Sequence, residues 1–381
     1  MKVCIVGTSI NQPTGYAKVM YNMLKELVTT GLEIHHYSIQ KSTLTLRPSI
    51  ADVITHEVED FGVDGLKDYC ETNAINLVLI YNDIVTTLTY LKAWKPPRCW
   101  VYLDTVGHGI RPDFLKLLDD SVERVYLMSD YWKSVYSFKN TRVMEHGVDT
   151  KVFRPVEVAD LRTKLGIPEN AIVFLNCNRN SRRKRLDLTI QAFVLFCKRN
   201  PNSSAHLLLM TTKDGFYDIG HILYSEIARH KYDCSSRVRT IFNDRIVMTD
   251  NMMNEFYNIA DFGLNTSYGE GYGLTALEHL AVGKPQVLTA LPSYTFVDDS
   301  VVLVKSTGER EYDYKEDIIG YFEHWKAEDF ALGMEQVLDK KTHFASKSWK
   351  EVMAGFLTDL QVPLVAPPQT EQIVEIPMLT G

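Results

Sequence analysis

The sequence predicts an α/β protein of two Rossmann-like domains whose parallel sheets face a deep cleft, and three observations predict it. Short apolar runs alternate with helical patterns, and that alternation starts again near residue 171. At 381 residues the chain is also too long for one hydrophobic core and suits two domains of ordinary size.

The first series runs KVCIVG (2–7), a helix over 17–30, EIHHYSI (33–39), NLVLIY (76–81), CWVYLD (99–104) and RVYLMS (124–129). Strands that alternate with helices imply βαβ units, and ligands of such sheets sit at the carboxyl ends of the strands. The second series runs AIVFLNCN (171–178), a helix over 186–199, AHLLLM (205–210), VRTIF, DFGLNT, QVLTA and VVLVK. Between them, 147–158 holds Gly147 and Pro155 and shows little periodicity, which predicts a linker and a hinge. The expected division is 1–150 for the first domain and 151–344 for the second. A last helix over 345–360 is free to pack back on the first domain, and a proline-containing tail follows at 361–381.

A hydrophobic fraction of 45% and a charged fraction of 23% are ordinary for a globular chain. A net charge of -7 and a pI near 5.9 leave no basic field, which argues against a sequence-independent nucleic-acid partner. The six cysteines lack any C-x-x-C pair and read as free thiols of a reducing compartment. No run approaches the ~20 apolar residues of a membrane helix, and the first residues enter a strand with no targeting signal. The expected location is cytoplasmic.

The stretch SYGEGYGLTALEHLAVGKP (267–285) follows a predicted strand and carries the most chemical information. Glycines 269, 271 and 273 expose backbone N–H groups just before a helix opens near Leu274, an arrangement suited to a phosphate or a sugar. Glu270 and Glu278 lie on either side of that turn, and a carboxylate can accept from two adjacent hydroxyls. In NCNRNSRRKRLDLTIQAF (176–193), Arg179, Lys184 and three further arginines crowd one turn. Read alone, such a run is a solvated loop. Directly after the first strand of the second domain it becomes an anion site.

The glutamate-bracketed string resembles the signature of retaining glycosyltransferases of family four, with Glu270, Gly271, Tyr272, Gly273, Leu274, Glu278, Gly283 and Pro285 in order. HGVDTKVFRP (146–155) is similar to the interdomain motif of that family, with His146 where asparagine is usual. Arg179 and Lys184 stand where the family has its diphosphate-binding pair. The chain is also similar to sugar transferases of large algal DNA viruses, which implies a host-cytoplasmic site and a protein-linked glycan.

The resemblance implies a two-Rossmann-domain (GT-B) enzyme that transfers a hexose with retention to a glycan or other hydroxyl acceptor. Mannose from GDP-mannose, or a hexose from a UDP-sugar, is the expected donor. Arg179, Lys184, Glu270 and His108 are the implied catalytic residues. Gly15, Val247, Gly271, Tyr272, Gly273, Leu274 and Glu278 are the implied donor contacts, with Glu278 on the ribose and Val247 near the base. With no Asp-x-Asp in the chain, no metal and no cofactor is expected. Alternatives are a nucleotide-sugar epimerase or hydrolase on the same scaffold, and a silent nucleotide-sugar-binding scaffold protein.

Overall fold

The computed structural model describes residues 1–242, 248–313, 320–342 and 344–361. The first sheet is built from β1 (Lys2–Thr8), β2 (Glu33–Ile39), β3 (Val53–Glu57), β4 (Leu77–Asp83), β5 (Cys99–Asp104), β6 (Arg124–Leu127) and β7 (Thr141–Val143). The second comprises β8 (Val173–Cys177), β9 (His206–Thr211), β10 (Val238–Phe242), β11 (Phe262–Asn265), β12 (Gln286–Thr289) and β13 (Val301–Val304). A separate antiparallel hairpin pairs β14 (Arg310–Asp313) with β15 (Gly320–Glu323).

The orders are β3-β2-β1-β4-β5-β6-β7 and β10-β9-β8-β11-β12-β13, and every pairing within the two sheets is parallel. Parallel strands are covered on both faces, so they read as continuous apolar runs; β1 is buried from its second residue onward and β4 up to Asn82. In each sheet the order reverses once, between β1 and β4 and between β8 and β11. A crevice opens at each reversal, at the carboxyl ends of the strands.

Helix Gly15–Leu27 begins where Thr14, in an extended conformation, accepts a hydrogen bond from the Ala17 N–H. It buries Ala17, Met20, Leu24 and Leu27 at helical spacing. The start falls two residues before the expected 17. The second-domain helix Leu186–Arg199 has the expected bounds.

Strands β3 and β7 had no counterpart in the apolar pattern. Four of the five β3 residues are exposed, so this edge strand carries no apolar run, and β7 is three residues long. The β14–β15 pair was also unanticipated. The last helix is Trp349–Gln361, starting later than the expected 345. Ser348 and Glu351 explain the start: the Glu351 N–H donates to Ser348 Oγ and the Ser348 N–H to Glu351 Oε2, a capping box. This helix packs on the first sheet. Phe356 meets Trp100 and Tyr126 at centroid distances of 6.0 and 5.0 Å, and Asp359 accepts from Tyr126 at 2.7 Å and pairs with Arg124 at 2.8 Å. All six cysteines are free thiols. Among the described residues no helix is long and apolar enough to cross a membrane, and the tail from 362 onward lies outside them.

Candidate active site

The β8/β11 crevice is built by two loops. After β8, the turn Ser181–Arg185 contains a 3-10 segment and ends at Arg185, whose φ of 48° is left-handed, before helix Leu186–Arg199 starts. After β11 come Thr266–Gly273 and helix Leu274–Ala281. A buried polar network ties the loops together. Asn176 Nδ2 donates to Thr189 Oγ1, Thr189 and Thr266 hydroxyls meet at 2.7 Å, Thr266 Oγ1 reaches the Arg185 carbonyl, and the Tyr268 N–H donates to the Arg183 carbonyl. A saturated network of this kind fixes side chains in one arrangement.

On that frame Lys184 Nζ lies 2.5 Å from Glu270 Oε1, and Arg183 Nη1 lies 3.2 Å from Oε2 while also donating to the Gly269 carbonyl. All three side chains are largely buried. Burial alone would raise the Glu270 carboxyl, yet Lys184 and Arg183 beside it bring it down to about 2. Burial, with help from the nearby Arg183 and Arg179, brings Lys184 down to about 8 against the pull of Glu270. The pair is therefore ionised at neutral pH.

Arg179 itself is exposed and has no carboxylate partner among the described residues. Arg183, which the motif left among the crowd, is the guanidinium that reaches Glu270. Arg182 and Arg185 point elsewhere: Arg182 pairs with Glu311, and Arg185 pairs with Asp187 and covers the Tyr268 ring.

Gly273 has φ +91°, and a side-chain carbon there would lie 2.3 Å from the Tyr294 ring, so the turn into helix Leu274–Ala281 demands glycine on both counts. Gly271 faces the other domain: an added Cβ would sit 2.2 Å from Asp104 Oδ1, and its carbonyl accepts from Trp132 Nε1 at 3.2 Å. Tyr272 is buried, its ring 5.2 Å from His146. Gly15 comes across from the first domain, with the Leu274 side chain 3.6 Å from where its Cβ would be.

Glu278 is 2% exposed and also meets the first domain. Lys18 Nζ donates to its Oε1 at 2.6 Å and Tyr257 to its Oε2 at 3.2 Å, while Lys18 and Arg47 share Asp250 at 3.4 and 3.1 Å. Burial works against the charge of Lys18, but Glu278 and Asp250 outweigh it and its pKa is raised. Burial raises the Glu278 carboxyl; with ammonium and hydroxyl donors at both oxygens, we read it as an ionised partner of Lys18. No signal in the sequence identified Lys18, since a lone lysine in a first-turn helix position is ordinarily solvated.

His108 follows the fifth strand of its sheet, not the fourth as counted from the sequence, because β3 went unrecognised. It is half-buried, bonds through Nε2 to the Tyr131 hydroxyl, and stacks on Tyr321 of β15 at 5.3 Å, so it lies between the first domain and the hairpin. Burial lowers its pKa and favours the neutral ring. Val247 lies outside the described residues. Among the described residues no cluster of three or more His, Cys, Asp or Glu is arranged to hold a metal ion.

Residues 169–314, which carry both crevice loops, match the family model described as Glycosyl transferases group 1. D-inositol 3-phosphate glycosyltransferase of Nocardiopsis dassonvillei is 26% identical over 220 residues, 56% of this chain and 48% of that protein. Alpha-monoglucosyldiacylglycerol synthase of Streptococcus pneumoniae is 27% identical over 171 residues, 44% of this chain and 35% of that protein. The chain thus spans about half, or less, of the length of these curated relatives. Sucrose-phosphate synthase from Thermosynechococcus elongatus shares the fold with a TM-score of 0.67 at 16% identity, over 95% of this chain and 94% of that one. A glycosyltransferase from Rickettsia africae does so with 0.66 at 14% identity, over 94% and 92%. Residues 169–314 are therefore similar to the group 1 glycosyltransferases, in a chain whose two parallel-sheet domains have the GT-B fold of those structures.

Proposed function

We propose that the chain transfers a hexose from a nucleotide-sugar to a hydroxyl acceptor, with retention of anomeric configuration and without a metal ion. The observation that carries this reading is the buried Arg183–Glu270–Lys184 cluster beneath the Gly269–Gly273 loop, at the reversal of the second sheet. A diphosphate at this crevice meets the Lys184 ammonium, the uncommitted Arg179 and the positive end of helix Leu274–Ala281. These fixed charges stabilise the negative charge that gathers on the leaving diphosphate, and no protein nucleophile is required. Glu270 and the amides of Gly271 to Leu274 orient the transferred sugar, and Glu278 takes the ribose hydroxyls in exchange for Lys18. His108 and Gly15 approach from the first domain.

The donor is a GDP- or UDP-linked hexose. Mannose and glucose are both candidates; one relative is named alpha-monoglucosyldiacylglycerol synthase, and others are named D-inositol 3-phosphate glycosyltransferase. Isothermal titration with GDP-mannose, UDP-glucose and the free diphosphates, followed by product analysis, tests this. One nucleotide-sugar should bind and be turned over to an α-linked product. Release of free sugar or of an epimer without transfer would favour the hydrolase or epimerase reading; binding without turnover would favour a scaffold. Activity should survive EDTA. Its loss on chelation and return with Mn²⁺ would refute the metal-free mechanism.

A further inference from the structure

The first-domain crevice has the opposite charge to the second. Asp83 and Asp104 end β4 and β5 as direct neighbours in the register. Asp83 is committed to its own helix, accepting from the Thr86 N–H at 2.8 Å and the Thr86 hydroxyl at 3.0 Å. Asp104 caps no helix; it accepts from the Tyr16 hydroxyl and keeps further acceptor capacity. The Tyr16 hydroxyl lies beside it, and the Gly271 backbone is so close that one added carbon would sit 2.2 Å from Oδ1. It therefore borders the loop that presents Glu270. Burial lifts its carboxyl to about 6, with Asp83 and Glu270 adding to the rise and Tyr16 and Arg183 opposing it.

The cation that acts on Asp104, Arg183, is already engaged by Glu270 and the Gly269 carbonyl. Among the described residues, Lys18 is held by Glu278 and Asp250, Arg47 by Asp250, Lys41 by Glu57 and Glu59, and Arg111 by Asp113. At the N-terminus of helix Gly15–Leu27, Thr14 takes up the Ala17 N–H.

We propose that Asp104 accepts a hydrogen bond from a hydroxyl of the acceptor, and that the acceptor is uncharged where it meets this wall, so phosphorylated sugars are rejected. This rests on the glycosyl-transfer reading above. A hydroxyl donates to the carboxylate and loses little on leaving water, whereas a phosphate would be set beside Asp83 and Asp104, where the neighbouring guanidinium, Arg183, is already held by Glu270.

The test uses the full chain and ligand-observed NMR, with and without UDP or GDP. Glucose, mannose and myo-inositol are each compared with a monophosphate of the same compound. The neutral member of a pair should bind at least about ten-fold more tightly. Asp104→Asn should weaken the neutral sugar by about ten-fold and narrow that gap, leaving nucleotide affinity unchanged. Asp83→Asn, which retains a helix-capping side chain, should narrow the gap alone. Equal or tighter binding of the phosphates by the unaltered chain, or sugar binding indifferent to Asp104→Asn, would overturn the proposal. Failure of every nucleotide to bind would instead strike the donor reading, and the sugar comparison without nucleotide would still stand or fall by itself.

Discussion

The two domains repeat one strand order, and each opens a crevice at its single reversal, yet the crevices are furnished differently. Behind β8 the chain supplies a cationic turn neutralised by Glu270 from behind β11. Behind β4 and β5 it supplies Asp83 and Asp104. Topology decides where a ligand sits, because only at the reversal do neighbouring loops part. The loop sequence decides what sits there. The halves then exchange partners: the first domain lends Lys18 to Glu278 of the second, and the second lends the Gly271 carbonyl to Trp132 of the first.

The largest effect should come from breaking the cationic side. Lys184→Ala and Arg183→Ala should each lower turnover by about 10²- to 10³-fold, the usual cost of losing one donor aimed at developing charge. Single-turnover kinetics with far-UV circular dichroism checks this; a folded Lys184→Ala with near-normal turnover would sink the comparison. Arg179→Ala should cost less, since its exposed charge is screened by water.

Next in size is the exchange at Glu278. Glu278→Gln should weaken UDP or GDP by roughly 10-fold whatever sugar is attached, as a charge-assisted bond to the ribose is lost. Lys18→Met leaves Glu278 and Asp250 sharing Tyr257 and Arg47 alone, and breaking a buried pair in this way typically costs about 3–5 kcal/mol. Chemical denaturation should show that loss. Removing the lysine also frees Glu278, so nucleotide affinity measured well below the melting transition should not fall with it.

How legible all this was differs between the halves for a physical reason. Strands buried on both faces, such as β1, β4 and β8, announce themselves as apolar runs, and the Leu186–Arg199 helix has an amphipathic period; both followed from burial alone. Strand β3 hides because its residues face water, and the hairpin because its strands are four residues each. In the site, the loop around Glu270 and the Arg179–Lys184 turn stood out because glycines, carboxylates and cations fall within a few positions, and the structure brings Glu270 and Lys184 together. Arg183 could not be told from Arg182 or Arg185, since only the 3-10 turn decides which guanidinium faces the crevice. Lys18 and Asp104 were illegible altogether: the Glu278 partner of Lys18 lies 260 residues away, and the Gly271 loop that Asp104 borders belongs to the other domain.

The pH dependence sharpens the contrast further. Lys184 is held down to about 8, so at neutral pH it is the ammonium, the form proposed to meet the donor, and it loses that form as pH rises. Because kcat/KM reports the free enzyme, it should fall about ten-fold per unit above pH 8. Lys184→Arg should abolish this limb, since a guanidinium does not titrate there. A flat profile from pH 7 to 9 in the unaltered protein would show that the ammonium plays no such part. On the acidic side, protonation of Asp104 near 6 should raise the acceptor KM, leaving the donor KM unchanged.

The smallest effect tests the seam between the domains. Trp132 Nε1 donates to the Gly271 carbonyl in a buried setting, and the Trp132 ring also stacks on Tyr136 at 5.9 Å and meets His108 at 5.2 Å. Trp132→Phe keeps an aromatic ring for those contacts and removes only the N–H and some volume. While the domains are together the carbonyl is then buried without its donor; if they part about the 147–158 linker, water replaces it. The substitution should therefore shift the balance toward the parted state by the net worth of one hydrogen bond, about 0.5–1.5 kcal/mol, or roughly 2- to 10-fold in donor affinity. Turnover at saturating donor should barely change, because no charge near the leaving group is touched. Solution scattering gives the independent reading: the free variant should show a larger radius of gyration than the unaltered chain, and saturating donor should bring the two together. Equal radii with weakened donor binding would mean that the hydrogen bond orients the Gly271 loop and has no part in holding the domains closed.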